Sequence, residues 1–192
     1  KKYAETNQYN QHIVMMVDYS IPSGANRLFV WDLQNDQLLF SCLVAHGRGH
    51  AQDKFAPVKF SNEEGSYLSS LGRCCVAERY YGYYGLAYRL DGLDSTNSNV
   101  RKRCIVLHAH KAVPSFQIFP FRIVHSQGCI MVSRKDMARI DEIINGIKDM
   151  DLALKNTDVN NNIAAQNALI HYLMDTKKGK NLSPEDAKAR DY

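Results

Sequence analysis

The chain has 192 residues, 45% of them hydrophobic and 23% charged, with a formal net charge of +4. That length supports one ordinary globular domain with its own core, with room for an appendage but not for a second domain. The charge excess is mild and no Lys/Arg block is long enough for a nucleic-acid face. No apolar run approaches the ~18 residues of a membrane span.

Taken in order, the chain begins Lys1-Lys2-Tyr3-Ala4-Glu5-Thr6 and runs into polar residues, so no signal peptide is visible. An exported protein reads this way after processing. Residues 12–18 predict a first strand, and Ile21-Pro22-Ser23-Gly24 a turn. Residues 27–33 and 37–45 are apolar runs joined by Gln34-Asn35-Asp36, the pattern of a hairpin. The second run delivers a polar, glycine-containing loop, His46-Gly47-Arg48-Gly49-His50. Residues 62–65 read as a turn, 69–77 as a strand, and a tyrosine-rich segment over 79–85 follows. A polar loop over 91–99 then leads to the apolar run Cys104-Ile105-Val106-Leu107. Up to Val132 there is no βαβ rhythm, so a mainly β, antiparallel core is expected.

The character changes at Ser133. Ser133-Arg134-Lys135-Asp136 is a capping box, and Met137, Ile140, Ile144 and Ile147 recur at helical spacing. This helix is expected to end near Asn145-Gly146, because glycine usually stands just past a helix end. Residues 161–175 form a second amphipathic segment, and Ser183-Pro184-Glu185-Asp186 opens a short third helix. The expected division is a main domain over 1–155 and a helical appendage over 156–192 packed on it.

The chemistry concentrates between Arg103 and Val132. On a strand Ile105, Leu107 and Ala109 point one way, and Val106, His108 and His110 the other. The first set reads as core and the second as a cleft carrying imidazoles. A loop punctuated by Pro114 and Pro120 returns to Ser126-Gln127-Gly128-Cys129 and a second apolar run. A thiol titrates near ~8.5, so a nucleophilic cysteine needs an adjacent imidazole at neutral pH. Gly128 permits an unusual backbone and a close substrate approach, and the N–H groups of Gly128 and Cys129 are candidates for an oxyanion hole. Of the five cysteines, Cys42 and Cys104 sit in apolar runs and read as buried small hydrophobes. Cys74 and Cys75 are adjacent and would face opposite ways, and no disulfide is expected.

His108-Ala109 followed by Ser126-x-Gly128-Cys129 resembles the motif of YkuD-type L,D-transpeptidases. Those carry His-Gly, a spacer and Ser/Thr-x-Gly-Cys. Val44-Ala45-His46-Gly47-Arg48-Gly49, Phe60-Ser61-Asn62, Ser69-Ser70-Leu71-Gly72, Tyr81-Gly82 and Tyr88-Arg89-Leu90-Asp91-Gly92-Leu93 are similar to the murein L,D-transpeptidase catalytic-domain-like branch. The likeness extends from about Val17 to about Gly146. It departs at Ala109, where the family has glycine, and at Gln127. The resemblance implies a YkuD-like fold with a last strand after the helix, for which 147–154 is the candidate. It implies Cys129 as nucleophile, His108 as base, Ser126 and Gly128 supporting the site, and no cofactor. His110, His46, Arg48, Tyr81, Tyr83, Arg89 and Gln127 are candidate substrate contacts, and His125 a loop residue flanking the site. The implied partner is the peptidoglycan stem peptide, met by a monomer in the periplasm or cell envelope.

Three other readings compete. One is an L,D-carboxypeptidase that passes the acyl group to water alone. A metal site from His108, His110, His125 and Cys129 is the second, although it leaves the Ser-x-Gly-Cys turn without a purpose. The third is a non-catalytic glycan- or peptide-binding module, suggested by the eleven tyrosines.

Overall fold

The computed structural model of the chain describes residues 2–51, 57–157 and 169–171. Eight strands among them form one sheet: β1 (Ile13–Val17), β2 (Leu28–Asp32), β3 (Gln37–Cys42), β4 (Cys74–Gly82), β5 (Gly85–Gly92), β6 (Val106–Ala109), β7 (Ile130–Val132) and β8 (Leu169–His171). Their order is β3-β2-β1-β8-β4-β5-β6-β7. Most neighbours are antiparallel, as the sequence predicts, but β1–β8 and β6–β7 run parallel. Two helices accompany the sheet among the described residues, α1 (Lys2–Thr6) and α2 (Arg134–Thr157). The whole is mainly β with a helix toward the C-terminal end, the fold class expected.

β1 and β7 are wholly apolar and almost fully buried, because both their faces are covered, whereas β2, β4 and β5 carry charged residues and β3 begins exposed. Ile13, Met15 and Val17 enter the large core with Leu28, Val30, Tyr88, Leu90, Leu107 and Val132. Val14 points to the other side, onto Ala4 of α1. Met137, Ile140 and Ile144 lay α2 over the main core, each fully buried side chain contributing ~1.5–3 kcal/mol. At the start of α2 the Ser133 hydroxyl accepts the Asp136 N–H at 3.1 Å, the predicted cap.

Three expectations change. The strand read over 69–77 begins only at Cys74 and runs on through the tyrosine-rich segment to Gly82. Ser69 and Ser70 spend their hydroxyls on neighbouring loop backbone, which competes with a ladder. The helix expected to stop near Gly146 continues to Thr157, so 147–154 is helix and not strand. Gly146 is absent from the glycines of positive φ, so the left-handed turn that ends a helix never forms there. The strand added to the sheet instead comes from Leu169–His171, within the segment read as amphipathic, and it pairs with β1 and β4. Residues 158–168 and 172–192, with the rest of the expected appendage and its third helix, lie outside the described residues.

One buried charge fixes how the chain leaves β3. Arg27 is 1% exposed and donates to Val44 O from Nε (2.9 Å) and Nη2 (2.7 Å), to Ile21 O, and to His46 Nδ1 at 2.7 Å. Its guanidinium also lies 5.2 Å from the Tyr19 ring centre. The pair stays together because His46 is neutral: burial first, then Arg27, His125 and Arg122, push its pKa down to about 3. An unfolded histidine titrates near ~6.5, so unfolding takes up a proton between these values. This contribution is fully present above pH ~6.5 and is lost as pH falls toward about 3. Denaturant titrations across that window should show stability falling, with His46 adding up to about 1.4 kcal/mol per pH unit. In His46→Gln that part of the slope should vanish; an unchanged slope would mean His46 is not held neutral.

Candidate active site

A cleft of about 540 Å³ opens on the face of β4, β5, β6 and β7 that carries Tyr80, Ala87, Val106, His108 and Met131. Register explains which side chains meet there. In the parallel β6–β7 pair Leu107 lies opposite Ile130 and His108 opposite Met131. Cys129, two residues before Met131, therefore shares its face and stands diagonal to His108 across neighbouring strands. The alternation predicted for 105–110 holds: Ile105, Leu107 and Ala109 are in the core, while Val106, His108 and His110 line the cleft.

The turn that carries Cys129 is stitched from several sides. Gly128 has φ of 114°, in the left-handed region that favours glycine, and a Cβ there would lie 3.0 Å from Leu68 O. The Ser126 hydroxyl donates to Cys129 O at 2.7 Å and accepts the Gly128 N–H at 3.2 Å. One of the two N–H groups expected in an oxyanion hole thus bonds within the turn. Ser126 N–H bonds His46 O, and Ala45 N–H bonds Met131 O. The Ser69 hydroxyl accepts the Gly47 N–H at 2.9 Å and donates to Gly128 O at 3.2 Å. The thiol of Cys129 is half-buried and makes a long contact, 3.8 Å, to Cys104 O.

The two histidines are set up differently. His108 is 6% exposed, and its Nδ1 lies 2.9 Å from Ala109 O. A carbonyl only accepts, so Nδ1 carries the proton and Nε2 is left as the basic nitrogen. His110 Nδ1 accepts the Ala112 N–H at 3.2 Å, so its neutral form carries hydrogen on Nε2 and is a donor there. Tyr84 covers both rings, stacked on His108 at 5.1 Å and edge-on to His110 at 5.1 Å.

The other candidates divide. Gln127 lines the cleft, as does His125, whose ring meets His46 edge-on at 5.0 Å. Burial, then Arg48, Arg27 and Arg122, lowers the His125 pKa, so this imidazole also stays neutral. His46 itself faces a second cavity of about 510 Å³ with Arg27 and Arg122. Arg48 pairs with Leu68 through the backbone. Tyr81 turns to the α2 side, beside Arg79, which is bonded to Asp141. Tyr83 is 80% exposed and packs on Tyr84. Arg89 is buried with its guanidinium 4.5 Å from the Tyr80 ring centre; opposite Val106 in register, it shares the cleft's face of the sheet without lining the cleft.

Sequence reasoning missed three contributors. Tyr84 sits in the tyrosine-rich run, where nothing distinguishes it from its neighbours. Cys104, expected in the core, lines the cleft on a left-handed backbone (φ 54°). Arg103 lines the cleft too, and donates to Ser61 O, Ser66 Oγ, Leu68 O and Ser70 Oγ. Burial lowers its pKa, while Cys129 and Glu64 act the other way. Two thiols outside the cleft are held protonated: burial raises Cys42 and Cys74, the latter to about 12. Among the described residues no three His, Cys, Asp or Glu side chains are grouped to hold a metal ion, and His108, His110, His125 and Cys129 do not form such a set.

A search of curated proteins finds no match. Among solved structures the chain is similar to the L,D-transpeptidase of Xylanimonas cellulosilytica DSM 15894, at 12% identity and a TM-score of 0.34. The match covers 67% of this chain and 52% of that one, so the chain spans about half of that structure's length. Residues 1–153 match the L,D-transpeptidase catalytic domain of the YkuD type. That match takes in every strand from β1 to β7 and the whole cleft, and the chain belongs to the L,D-transpeptidase catalytic domain family.

Proposed function

We propose that the protein is a cysteine acyltransferase of the L,D-transpeptidase type, acting on peptidoglycan tetrapeptide stems outside the cytoplasm. The observation that carries the proposal is the tautomer of His108, whose Nδ1 is committed to Ala109 O beside a cleft-facing Cys129. His108 Nε2 takes the thiol proton, and the Cys129 sulfur attacks the carbonyl of the diamino acid. The tetrahedral intermediate collapses, the C–N bond to the terminal D-alanine breaks, and His108 returns the proton to the departing amine. An amine then resolves the thioester to give a cross-link, or water does so to give a trimmed stem. Ser126 and Gly128 act by holding the turn. Gln127 and His110 are placed to touch the substrate, and His110 does so as a hydrogen-bond donor. Arg103 favours the thiolate by its charge.

Intact-mass analysis after incubation with muropeptides tests the chemistry. The expected product is a thioacyl adduct on Cys129, absent from a folded Cys129→Ala variant. Turnover by Cys129→Ala at a normal rate would remove thiol catalysis. Brief alkylation should mark Cys129 and Cys104 and spare Cys42, Cys74 and Cys75.

The two imidazoles are separable by pre-steady-state acylation. His108→Ala should slow it by about 10²–10⁴-fold, whereas His110→Ala should mainly weaken substrate binding. The opposite pattern would exchange their roles.

Arg103 is tested by the pH dependence of Cys129 alkylation. Arg103→Gln should move the half-maximal rate to higher pH by about one unit, and Arg103→Lys should restore most of the shift. An alkylation profile that does not move would leave Arg103 only as the anchor of residues 61–70.

A further inference from the structure

The long loop between β6 and β7 buries its smaller apolar side chains and exposes its larger ones. Val113 and Ile123 are buried with Leu43, Ala45 and Met131, and Ile118 packs beside them. Phe116, Phe119 and Phe121 stand out at 68%, 62% and 74% exposed, followed by Val124 at 41%. Hydrophobic burial alone would favour the reverse choice, since a phenylalanine removes more apolar area from water than a valine does.

The loop is also fixed in place. Ile118 N–H and Phe119 N–H both bond Gly24 O, Phe121 N–H bonds Ile118 O, and Ile123 N–H bonds the Ser23 hydroxyl. Asn26 N–H bonds Gln117 Oε1 at 3.1 Å. A Cβ at Gly24 would fall on Phe121 O, so this close contact requires glycine. The three rings are therefore presented on an anchored backbone.

Charge indicates what they meet. From residue 95 to residue 135 the chain has no Asp or Glu. Lys111 and Arg122 flank the phenylalanines and are exposed. Arg134 and Lys135, exposed at the start of α2, follow β7 just as Lys111 follows the parallel β6, so they lie at the same end of the sheet. Exposed phenylalanines flanked in sequence by cations, with Asp18 the acid that shares a cavity with Arg122, match the interface of an anionic bilayer, where rings enter the headgroup boundary and Lys/Arg meet lipid phosphates.

We infer that Phe116, Phe119 and Phe121 dock the protein on an anionic lipid surface, beside the cleft that Val124 and His125 line. The inference concerns attachment and does not depend on the acyl-transfer chemistry. The test is co-sedimentation of the full chain with phosphatidylglycerol-containing vesicles, phosphatidylcholine vesicles and isolated peptidoglycan sacculi. Binding should need the anionic lipid and weaken as salt rises. The triple variant Phe116→Ser, Phe119→Ser, Phe121→Ser should bind at least about tenfold more weakly. Its circular dichroism and Cys129 alkylation rate should stay those of the parent, which shows that the fold and the cleft are intact. Equal binding by parent and triple variant, or no vesicle binding, would overturn the inference. Ring-dependent binding to sacculi alone would overturn it in favour of glycan. Concentration-dependent self-association that the triple variant abolishes would assign the patch to a second copy of the chain instead.

Discussion

The backbone of Gly47 lies against that of Gly128, so closely that a Cβ on Gly47 would stand 2.7 Å from Gly128 N and 2.3 Å from Tyr67 O. Nothing larger than glycine fits between these backbones, and Ser69 closes the contact with one hydrogen bond to each side. This junction joins three stretches far apart in the chain: the exit from β3, the loop before β4 and the turn before β7. Cys129 inherits its position from that junction. Register then places it diagonal to His108, because β6 and β7 run parallel and side chains two residues apart share a face.

Electrostatics around the turn follow from burial. His46 and His125 are kept neutral by desolvation and by the arginines near them, so the side of the turn away from β6 carries no imidazolium at ordinary pH. Arg103 is a positive charge anchored at the cleft, held by four oxygen acceptors of the 61–70 loop. Tyr84 shields both cleft histidines from one side.

The comparison of strand ends shows where local pattern loses to context. Gly146 would end a helix if its residue took the left-handed conformation, yet α2 continues past it to Thr157. Glycine permits that conformation without requiring it. Leu169–His171 reads as part of an amphipathic segment, but it fills a gap between β1 and β4. Which period a short apolar run adopts is settled by the partners that its backbone finds.

The sequence by itself determined the strand-rich order up to Val132, the cap of α2, and the division of 105–110 into a core side and a cleft side. These are local properties: alternation, turn residues and capping act over a few positions, so they can be read without knowing the fold. Only the tertiary structure decided that Tyr84 packs on both histidines, that Arg103 and Cys104 line the cleft, and that Arg89 and Tyr81 do not. It also gave the two histidines different tautomers. Side chains two residues apart look alike in a sequence, but Ala109 O meets Nδ1 of one ring and the Ala112 N–H meets Nδ1 of the other, which leaves opposite nitrogens protonated. A tautomer depends on a single neighbouring atom, and that atom is placed by the fold.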